Sequence, residues 1–305
     1  MNEFKAKPFV KWVGGKTQLL EEVRKSLPIN LCQLKNLTYI EPFVGGGAVL
    51  FWILQEYPNI QHAIINDINK ELICTYNVIK NDVHNLICCL DSLQTKYLSL
   101  TSDERKKFFL EKRKAFNSKE KTDIETASLF IFLNRTCFNG LYRVNSKGEF
   151  NVPHGKYTNP KICDRVNLLA VSSLLQRVDI ICGDFEETEK YACSTSFYYI
   201  DPPYKPLSNT SSFTSYSKEG FNDSEQIRLR DFCSRIARKN AFFIASNSDP
   251  VENKTGASFF EQIYYDFRIK RVSATRLINA NPNNRGIVSE IMISNISNTQ
   301  QNERL

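Results

Sequence analysis

Short apolar runs follow one another closely in the first quarter of the chain. Residues 37–41, LTYIE, predict a strand that leads into the glycine turn at 42–47, PFVGGG. Residues 48–57, AVLFWILQEY, predict a helix, and residues 62–67, HAIIND, predict a second strand that ends on Asp67. A strand, a turn, a helix and a second strand in this order form a βαβ unit, so the pattern predicts a parallel sheet of the α/β class.

Apolar runs of strand length return in the second half of the chain. A helix is predicted at residues 223–239, with Asp223 or Ser224 as its N-cap. The predicted strands are residues 178–184 (VDIICGD), 196–204 (SFYYIDPPY), 241–247 (AFFIASN) and 288–295 (VSEIMISN).

The middle of the chain interrupts this alternation. Residues 101–117 and 121–135 predict helices with charged faces, and a polar, turn-rich piece follows them. The pattern therefore predicts an inserted, mainly helical domain at 70–163, within a discontinuous domain made of residues 1–69 and 164–305.

The composition is that of an ordinary globular protein. Hydrophobic residues make up 42% and charged residues 24%, which argues against an intrinsically disordered chain. The formal net charge of +7 permits a polyanionic partner without establishing one. No apolar run approaches the roughly 18 residues of a membrane helix, and the N-terminus lacks the apolar core of a signal peptide. We therefore expect a cytoplasmic protein with no membrane partner.

Nine cysteines raise the question of a metal or disulfide framework. Their number is odd, no CxxC pair occurs, and the three histidines are scattered. We expect no metal site, and we expect the cysteines to be reduced and mostly buried.

The tripeptide Gly15-Lys16-Thr17 resembles the end of a phosphate-binding P-loop. That loop needs a glycine five positions before Gly15, where this chain has Val10. The sequence therefore disfavours an ATP site, and the segment KWVGGK at 11–16 requires another explanation.

The stretch Asp201-Pro202-Pro203-Tyr204 lies at the C-terminal edge of the predicted strand 196–204. Ligands of parallel sheets bind at this edge, and proline lacks an N–H, so the Pro202 carbonyl can serve as an outward acceptor. Asp201 and that carbonyl could accept both N–H bonds of an exocyclic amine, while Tyr204 stacks on its planar ring. The alternative is a proline-rich surface turn without a ligand.

The glycine turn points to a nucleoside cofactor. A dinucleotide fingerprint would need a glycine at Leu50, but Asp67 follows Gly47 by 20 residues and could accept two ribose hydroxyls. An acidic residue that binds the ribose, without a loop that binds a pyrophosphate, fits S-adenosylmethionine. Asp184 could accept from the adenine amine with Phe185 beside the ring, or it could be a loop carboxylate in water.

Taken together, these motifs resemble a known family. KWVGGK, EPFVGGG, NDIN, DPPY and the block NRTCFNGLYRVNSKGEFNVPHGKY occur in this order in the Dam-type (D12 class, alpha group) DNA adenine-N6 methyltransferases. The resemblance runs from about residue 7 to residue 295. It implies a Rossmann-like methyltransferase sheet, with 70–163 as a target-recognition domain that carries a β-hairpin.

The resemblance also implies the cofactor residues. Trp12, Lys16, Asp67 and Asp201 match positions that bind S-adenosylmethionine, and Lys16 could meet the cofactor carboxylate. We expect these four to line one pocket with Asp184, Phe185 and the glycine turn, which includes Phe43, Gly45 and Gly47. Asp201, Pro202 and Tyr204 would catalyse direct, in-line attack by the amine of a base flipped out of the duplex.

DNA recognition is implied for the N-terminal segment and the hairpin. Lys11 matches a DNA-contacting lysine, and Phe138 and Asn139 match residues that enter the stack beside the flipped base. Leu141, Arg143 and Pro153 match positions that read bases in GATC-specific members. Thr136-Cys137 and His154 depart from the family pattern, so the flanking contacts could differ. Phosphate contacts are open to Lys270, Arg276 and Arg285, or these three are solvated loop charges.

Two other functions stay open. An enzyme of similar fold could modify an RNA base or a glutamine amide, although Asp201 and the hairpin favour DNA. A DNA-binding module without activity is the second, against which the intact motifs argue. For the methyltransferase we expect double-stranded DNA as the partner, a monomeric state, and a separately encoded restriction endonuclease as a further partner.

Overall fold

The described strands join in one β-sheet, as the α/β pattern of the sequence predicts. The computed structural model describes residues 5–12, 14, 16, 19–28, 31–205, 221–249, 259–275 and 287–296. The strands in these ranges are β1 Thr38–Glu41, β2 His62–Asp67, β3 Val178–Cys182, β4 Ser196–Ile200, β5 Phe242–Ser248, β6 Arg268–Thr275 and β7 Ile287–Ser294. They form one seven-stranded sheet in the order β3-β2-β1-β4-β5-β7-β6.

The sheet contains both parallel and antiparallel strand pairs. β4 is parallel to both β1 and β5, and all five of its residues are buried, as its apolar run predicts. β7 is antiparallel to β5 and to β6. The order 3-2-1-4-5 repeats that of doubly wound nucleotide-binding sheets. The prediction of a Rossmann-like α/β fold is therefore confirmed.

The predicted strand at 196–204 ends earlier than its apolar run. β4 stops at Ile200 because the segment that follows contains Pro202 and Pro203, which cannot donate to a neighbouring strand. Asp201 is thus the first residue beyond the strand. β6 was not predicted, since its sequence RIKRVSAT carries three basic residues.

In the described chain, the regular structure outside the sheet is helical. α2, α5, α6 and α8 match predicted helices, whereas α3, α4 and α7 were not predicted from the pattern. The helices are α1 Leu20–Ser26, α2 Ala48–Glu56, α3 Lys70–Asn81, α4 Val83–Ser99, α5 Ser102–Phe116, α6 Asp123–Thr136, α7 Arg165–Leu175, α8 Asp223–Arg238 and α9 Phe259–Ile263. Short 3-10 helices cover Leu31–Gln33, Phe138–Gly140 and Phe185–Tyr191.

Capping residues fix the starts of the charged helices. Thr101 and Thr122 each form a capping box with the glutamate three residues later, which ties down N–H groups that the first turn leaves unpaired. The predicted cap of α8 was wrong. Asn222, not Asp223 or Ser224, is the N-cap, and its side chain accepts from the Glu225 N–H.

The chain divides into two compact units. The first comprises residues 1–15, 44–56 and 65–184, where α3 packs on α6 and α7, and α5 packs on α6. The second comprises 16–43, 57–64 and 185–305, where α8 packs on β5. The functional division into a catalytic domain (1–69 and 164–305) and a target-recognition domain (70–163) stays a prediction.

The predicted hairpin is present in a reduced form. Val144 and Phe150 form an isolated antiparallel bridge, and the Asn145 N–H donates to the Glu149 carbonyl at 2.9 Å. Gly148 has φ of 79°, a conformation that favours glycine at the turn. Single bridges therefore stand where continuous strands were expected.

The cysteines are less buried than the sequence suggested. All nine are free, but only Cys137, Cys163 and Cys233 are buried, so the expectation of mostly buried thiols was wrong. Among the described residues, no group of histidine, cysteine, aspartate and glutamate side chains could hold a metal ion. No helix in this part of the chain is long and apolar enough to cross a membrane.

Candidate active site

A lysine and an aspartate form the centre of a charged cluster in the second unit. The Lys16 Nζ lies 3.1 Å from Asp201 Oδ1, and it also donates to the Tyr204 hydroxyl. The lysine is only 5% exposed. In the described structure the Lys16 ammonium group pairs with Asp201. The expected contact of Lys16 with a cofactor carboxylate stays a prediction.

The position of Asp201 follows from the end of β4. Ser246 on the adjacent strand β5 donates to Asp201 Oδ1 at 2.8 Å, so both Ser246 and Lys16 bind the same oxygen. Among the described residues, none donates to Oδ2. Burial raises the pKa of the Asp201 carboxyl, while Lys16 and Ser246 act in the opposite direction. Within the described part of the chain, Oδ2 therefore keeps its capacity to accept a hydrogen bond.

Glu290 belongs to the same cluster, and sequence reasoning missed it. Tyr204 donates its hydroxyl proton to Glu290 Oε2 at 2.6 Å, and Lys16 Nζ lies 3.6 Å from the same oxygen. The Lys16 ammonium also lies 4.1 Å from the centre of the Tyr204 ring. No motif surrounds Glu290 in the sequence, so only the folded arrangement reveals it.

Two buried amides hold the backbone that follows Asp201. Gln226 donates to the Pro203 carbonyl at 3.2 Å, and Asn247 donates to Gln226 at 3.0 Å. The Asn247 side chain also accepts from the Lys205 N–H at 3.2 Å. Within the described structure the Pro202 carbonyl accepts no hydrogen bond. The turn is therefore fixed around an acceptor that remains available.

The glycine turn and Asp67 meet in the first unit. Asp67, the last residue of β2, accepts from the Gly45 N–H at 3.0 Å and from the Asn69 N–H at 2.9 Å, one on each oxygen. Burial raises the pKa of the Asp67 carboxyl, and these N–H groups partly offset the effect. The Ile68 N–H lowers this pKa as well, so three backbone donors face a carboxylate that accepts about four hydrogen bonds, which leaves capacity for one further donor.

Trp12 packs directly on this turn. A Cβ on Gly45 would lie 2.7 Å from Trp12 Cδ1, which leaves no room for any side chain there. The indole stacks on Tyr142, with ring centres 5.8 Å apart. Gly47 is similarly confined, because its Cβ would lie 2.6 Å from the Tyr76 hydroxyl.

Asp184 and Phe185 follow β3. The Gly183 N–H donates to the Asp67 carbonyl at 3.2 Å, so the turn that carries Asp184 is attached to the end of β2. In the second unit, Phe185 is buried beside Phe43, with ring centres 5.3 Å apart. The Arg228 guanidinium lies 4.3 Å from the Phe185 ring centre. The predicted contacts of Phe43, Asp184 and Phe185 with an adenine ring stay predictions.

The residues expected to contact DNA lie in the first unit. The Lys11 backbone N–H donates to the Asn134 side chain at 2.8 Å, and its Nζ lies 4.4 Å from the Tyr157 ring centre. Arg143 is exposed, and its Nε donates to the Asn151 side chain at 2.7 Å. The Lys11 ammonium group therefore packs over an aromatic ring and the Arg143 guanidinium is held by Asn151, and both residues are exposed.

The 3-10 turn after α6 presents two further residues. Phe138 is 49% exposed, so its ring is accessible from solvent. Asn139 has φ of 55°, a left-handed conformation that asparagine tolerates. The Phe138 N–H donates to the Pro153 carbonyl at 2.9 Å, which connects this turn to the hairpin beside Leu141.

The basic residues near the C-terminus are only partly described. The Lys270 Nζ forms an ion pair with Glu22 at 2.8 Å. Arg276 and Arg285 lie outside the described residues. Their phosphate contacts stay predictions.

A sheet of this order, with acidic residues after β2 and β4 and a glycine turn after β1, is typical of α/β enzymes that bind a nucleoside cofactor. The family follows from comparison with known proteins. Residues 12–278 match the D12 class N6 adenine-specific DNA methyltransferases, and the chain belongs to this family. It is an adenine-specific DNA methyltransferase, and the family implies the use of S-adenosylmethionine.

Full-length relatives support the same assignment. The chain is 51% identical to the type II methyltransferase M.MjaIII of Methanocaldococcus jannaschii, over 95% of this chain and 99% of that protein. It is 38% identical to the type II methyltransferase M1.LlaDCHI of Lactococcus lactis subsp. cremoris, over 97% and 98%. It is 33% identical to the DNA adenine methylase of Vibrio cholerae serotype O1, over 94% and 95%.

Proposed function

We propose that this enzyme transfers a methyl group from S-adenosylmethionine to the N6 amine of adenine within GATC in double-stranded DNA, after the base has left the duplex. The observation that carries the chemistry is Asp201, whose Oδ1 is held by Ser246 and Lys16 while Oδ2 has capacity for another donor. The neighbouring Pro202 carbonyl supplies a second acceptor.

These two acceptors suit an exocyclic amine. The lone pair of the adenine amine is delocalised into the ring, so the free amine is a poor nucleophile. When Asp201 and the Pro202 carbonyl accept its two N–H bonds, the lone pair becomes more available for attack. Asp201 must be ionised for this, and Lys16 at 3.1 Å favours the ionised form against the effect of burial.

Several residues are assigned to the cofactor. Asp67 is assigned to the ribose hydroxyls, and the glycine turn beside it has Trp12 packed against Gly45. Asp184 and Phe185 are assigned to the adenine ring, together with Phe43. When bound, S-adenosylmethionine supplies an electrophilic methyl group on a sulfonium. The residues of this chain bind it and orient the amine, and no thiol takes part.

A flipped base needs a replacement for its lost stacking. Tyr204 is assigned this role, because its hydroxyl is held by Glu290 and its ring follows directly after the two prolines. Phe138, exposed at the end of α6, and Asn139 are assigned to the gap that the base leaves in the duplex.

Sequence recognition is assigned to the hairpin and to Lys11. Arg143 is the main reader, because an arginine fork on guanine contributes about 1–3 kcal/mol of discrimination. Its Nε is braced by Asn151, which restricts the guanidinium to fewer orientations. Leu141 and Pro153 are assigned to neighbouring bases. The type II names of two relatives support a further proposal, that the enzyme protects DNA against a separately encoded restriction endonuclease.

Mapping of modified adenines tests the function. The gene is expressed in a host without DNA methylation, and methylated positions are mapped across the genome. Modified adenines confined to GATC support the proposal, and modified adenines in another motif overturn the specificity while leaving the enzyme class. Modification of RNA alone would overturn the proposed substrate.

Matched variants then test the residues. Arg143→Ala should relax the sequence preference, whereas Lys147→Ala, a loss of charge in the same hairpin, should leave the preference intact. Asp201→Ala should abolish transfer while DNA affinity stays within about tenfold, because phosphate contacts dominate affinity. Near-normal activity of Asp201→Ala would refute its catalytic role.

A further inference from the structure

We propose that Glu290 is a positioning residue for methyl transfer: it draws part of the Lys16 charge away from Asp201 and holds the ring of Tyr204 in place. The proposal rests on the function proposed above, in which Asp201 accepts a proton of the target amine. It assigns a role to a glutamate that no motif of the sequence singles out.

The contacts of Glu290 link two groups of the site. Its Oε2 accepts the Tyr204 hydroxyl proton at 2.6 Å and lies 3.6 Å from Lys16 Nζ. The same ammonium group lies 3.1 Å from Asp201 Oδ1 and donates to the Tyr204 hydroxyl. The Glu290 side chain is 13% exposed and that of Lys16 is 5% exposed, so water screens these charges only weakly.

The backbone makes Glu290 the fixed partner. It lies within β7, opposite Ser248 of β5 and Val272 of β6, so neighbouring strands hold it on both sides. Tyr204 lies beyond β4, outside any strand. A hydrogen bond between a fixed strand and a residue of an irregular segment restricts the latter. Glu290 therefore determines where the Tyr204 ring lies, and that ring is the proposed stacking surface.

The charges explain why two carboxylates share one lysine. A carboxylate that is fully paired with an ammonium group is a weaker acceptor for other donors. Because Lys16 divides its charge between Asp201 and Glu290, Asp201 stays ionised without being neutralised. In accordance with this geometry, Glu290 raises the pKa of Asp201, while Lys16 and Ser246 lower it and burial raises it most. Among the described residues, Tyr39, Tyr199 and Tyr204 also interact electrostatically with Asp201.

Charge and geometry can be separated with two substitutions. Glu290→Gln keeps an acceptor for Tyr204 but removes the negative charge that raises the pKa of Asp201. In the pH profile of the single-turnover rate, the acidic limb should therefore move to lower pH by about one unit. Glu290→Asp keeps the charge but shortens the side chain, so the limb should stay in place while the plateau rate falls about tenfold. Affinities for S-adenosylmethionine and DNA should change less than threefold in both.

The control is Glu189→Gln, which removes a charge from an ion pair with Arg235 and Lys239 in the same unit. It should move neither the limb nor the plateau. If Glu290→Gln leaves the acidic limb where it is in the wild type, the electrostatic role is refuted. If Glu290→Gln does not fold, Glu290→Asp decides: an unchanged plateau rate in Glu290→Asp overturns the positioning of Tyr204.

A second comparison isolates the Tyr204 contact. Tyr204→Phe lacks the hydroxyl that Glu290 holds, so adding Glu290→Asp to it should cause little further loss of plateau rate. Full additivity of the two losses contradicts the proposal. Failure of the proposed function is distinct, because wild-type enzyme would then transfer no methyl group to DNA adenine. A wild type that methylates DNA, with Glu290→Gln behaving like Glu189→Gln, overturns only the role of Glu290.

Discussion

Substitution of Gly45 by alanine tests how Trp12 and the glycine turn fit together. Gly45 has φ of 48°, which costs a residue with a side chain about 1–2 kcal/mol. The new Cβ would lie 2.7 Å from Trp12 Cδ1 and 2.8 Å from Nε1, so the indole must move. Movement disturbs its stack on Tyr142, and such a pair contributes about 0.5–1.5 kcal/mol. We expect Gly45→Ala to lower the free energy of unfolding by about 2–3 kcal/mol.

Two other glycines separate the contributions. Gly148 has φ of 79°, and no atom of the described structure lies within 4 Å of its added Cβ, so Gly148→Ala reports backbone strain alone. Gly46 has no positive φ, and its Cβ would lie 3.0 Å from Trp12 Cβ, so Gly46→Ala reports the contact alone. The expected order of destabilisation is Gly45→Ala above both single-effect variants.

Urea unfolding monitored by circular dichroism measures the three differences, and calorimetry measures S-adenosylmethionine affinity. We expect Gly45→Ala to weaken the cofactor at least tenfold, because Trp12 and Asp67 both contact this residue, and Gly148→Ala to leave it unchanged. Equal destabilisation by Gly45→Ala and Gly148→Ala would refute the reasoning, since it would mean that Trp12 does not pack against Gly45 in solution.

Three further predictions concern side chains outside the reaction itself. Burial lowers the pKa of His154, so the unfolded state binds more protons below about pH 6.5; stability should fall as the pH drops through that value, and His154→Gln should remove this part of the pH dependence. Hydrogen bonds with the Ser196 and Thr195 hydroxyls lower the pKa of the exposed Cys193, whereas burial raises that of Cys233 to about 12, so mass spectrometry should find Cys193 alkylated early and Cys233 protected in the native protein. Tyr142 lies between two predicted base readers and stacks on Trp12, a predicted cofactor residue, so Tyr142→Ala should weaken both DNA and S-adenosylmethionine binding, measured by calorimetry with each ligand.

Most strands of the sheet could be predicted because a buried strand needs a run of apolar residues, which is visible in the local sequence. The run SFYYI has no polar face to place in water, and β4 is buried along its whole length. β6 shows the opposite case. Three of its first four residues are basic, which gives a weak strand signal, and the strand forms because β7 provides an antiparallel pairing edge.

Smaller differences have similar causes. Asn222, Asp223 and Ser224 are all good N-caps, so the sequence alone cannot choose among three adjacent candidates, and the structure selects the first. The cysteines were expected inside because the free thiol behaves as a small apolar group. Exposed Cys32 and Cys88 show that this average tendency does not determine individual positions.

Some residues of the candidate site have a local sequence signal and others have none. Asp201 and Asp67 could be proposed from the sequence because a rare tetrapeptide and a fixed spacing accompany them. Glu290 was not, because a single glutamate in a strand has no local signal, and its partner Tyr204 is 86 residues away in the chain. Ser246 and Gln226 were missed for the same reason: each acts through one hydrogen bond to a motif residue that is distant in sequence.

The charges around Asp201 show why the missed residues matter for the reaction. The amine nitrogen gains positive charge as it accepts a methyl group, so the reaction favours a nearby carboxylate that is ionised and not neutralised. Burial raises the pKa of Asp201 and favours its neutral form, whereas Lys16 lowers the pKa and pairs with the same carboxyl. Because Glu290 shares the Lys16 ammonium group, Lys16 favours the charged form of Asp201 at a smaller cost to its strength as an acceptor. The motif supplies the carboxylate, and a strand far along the chain adjusts its charge.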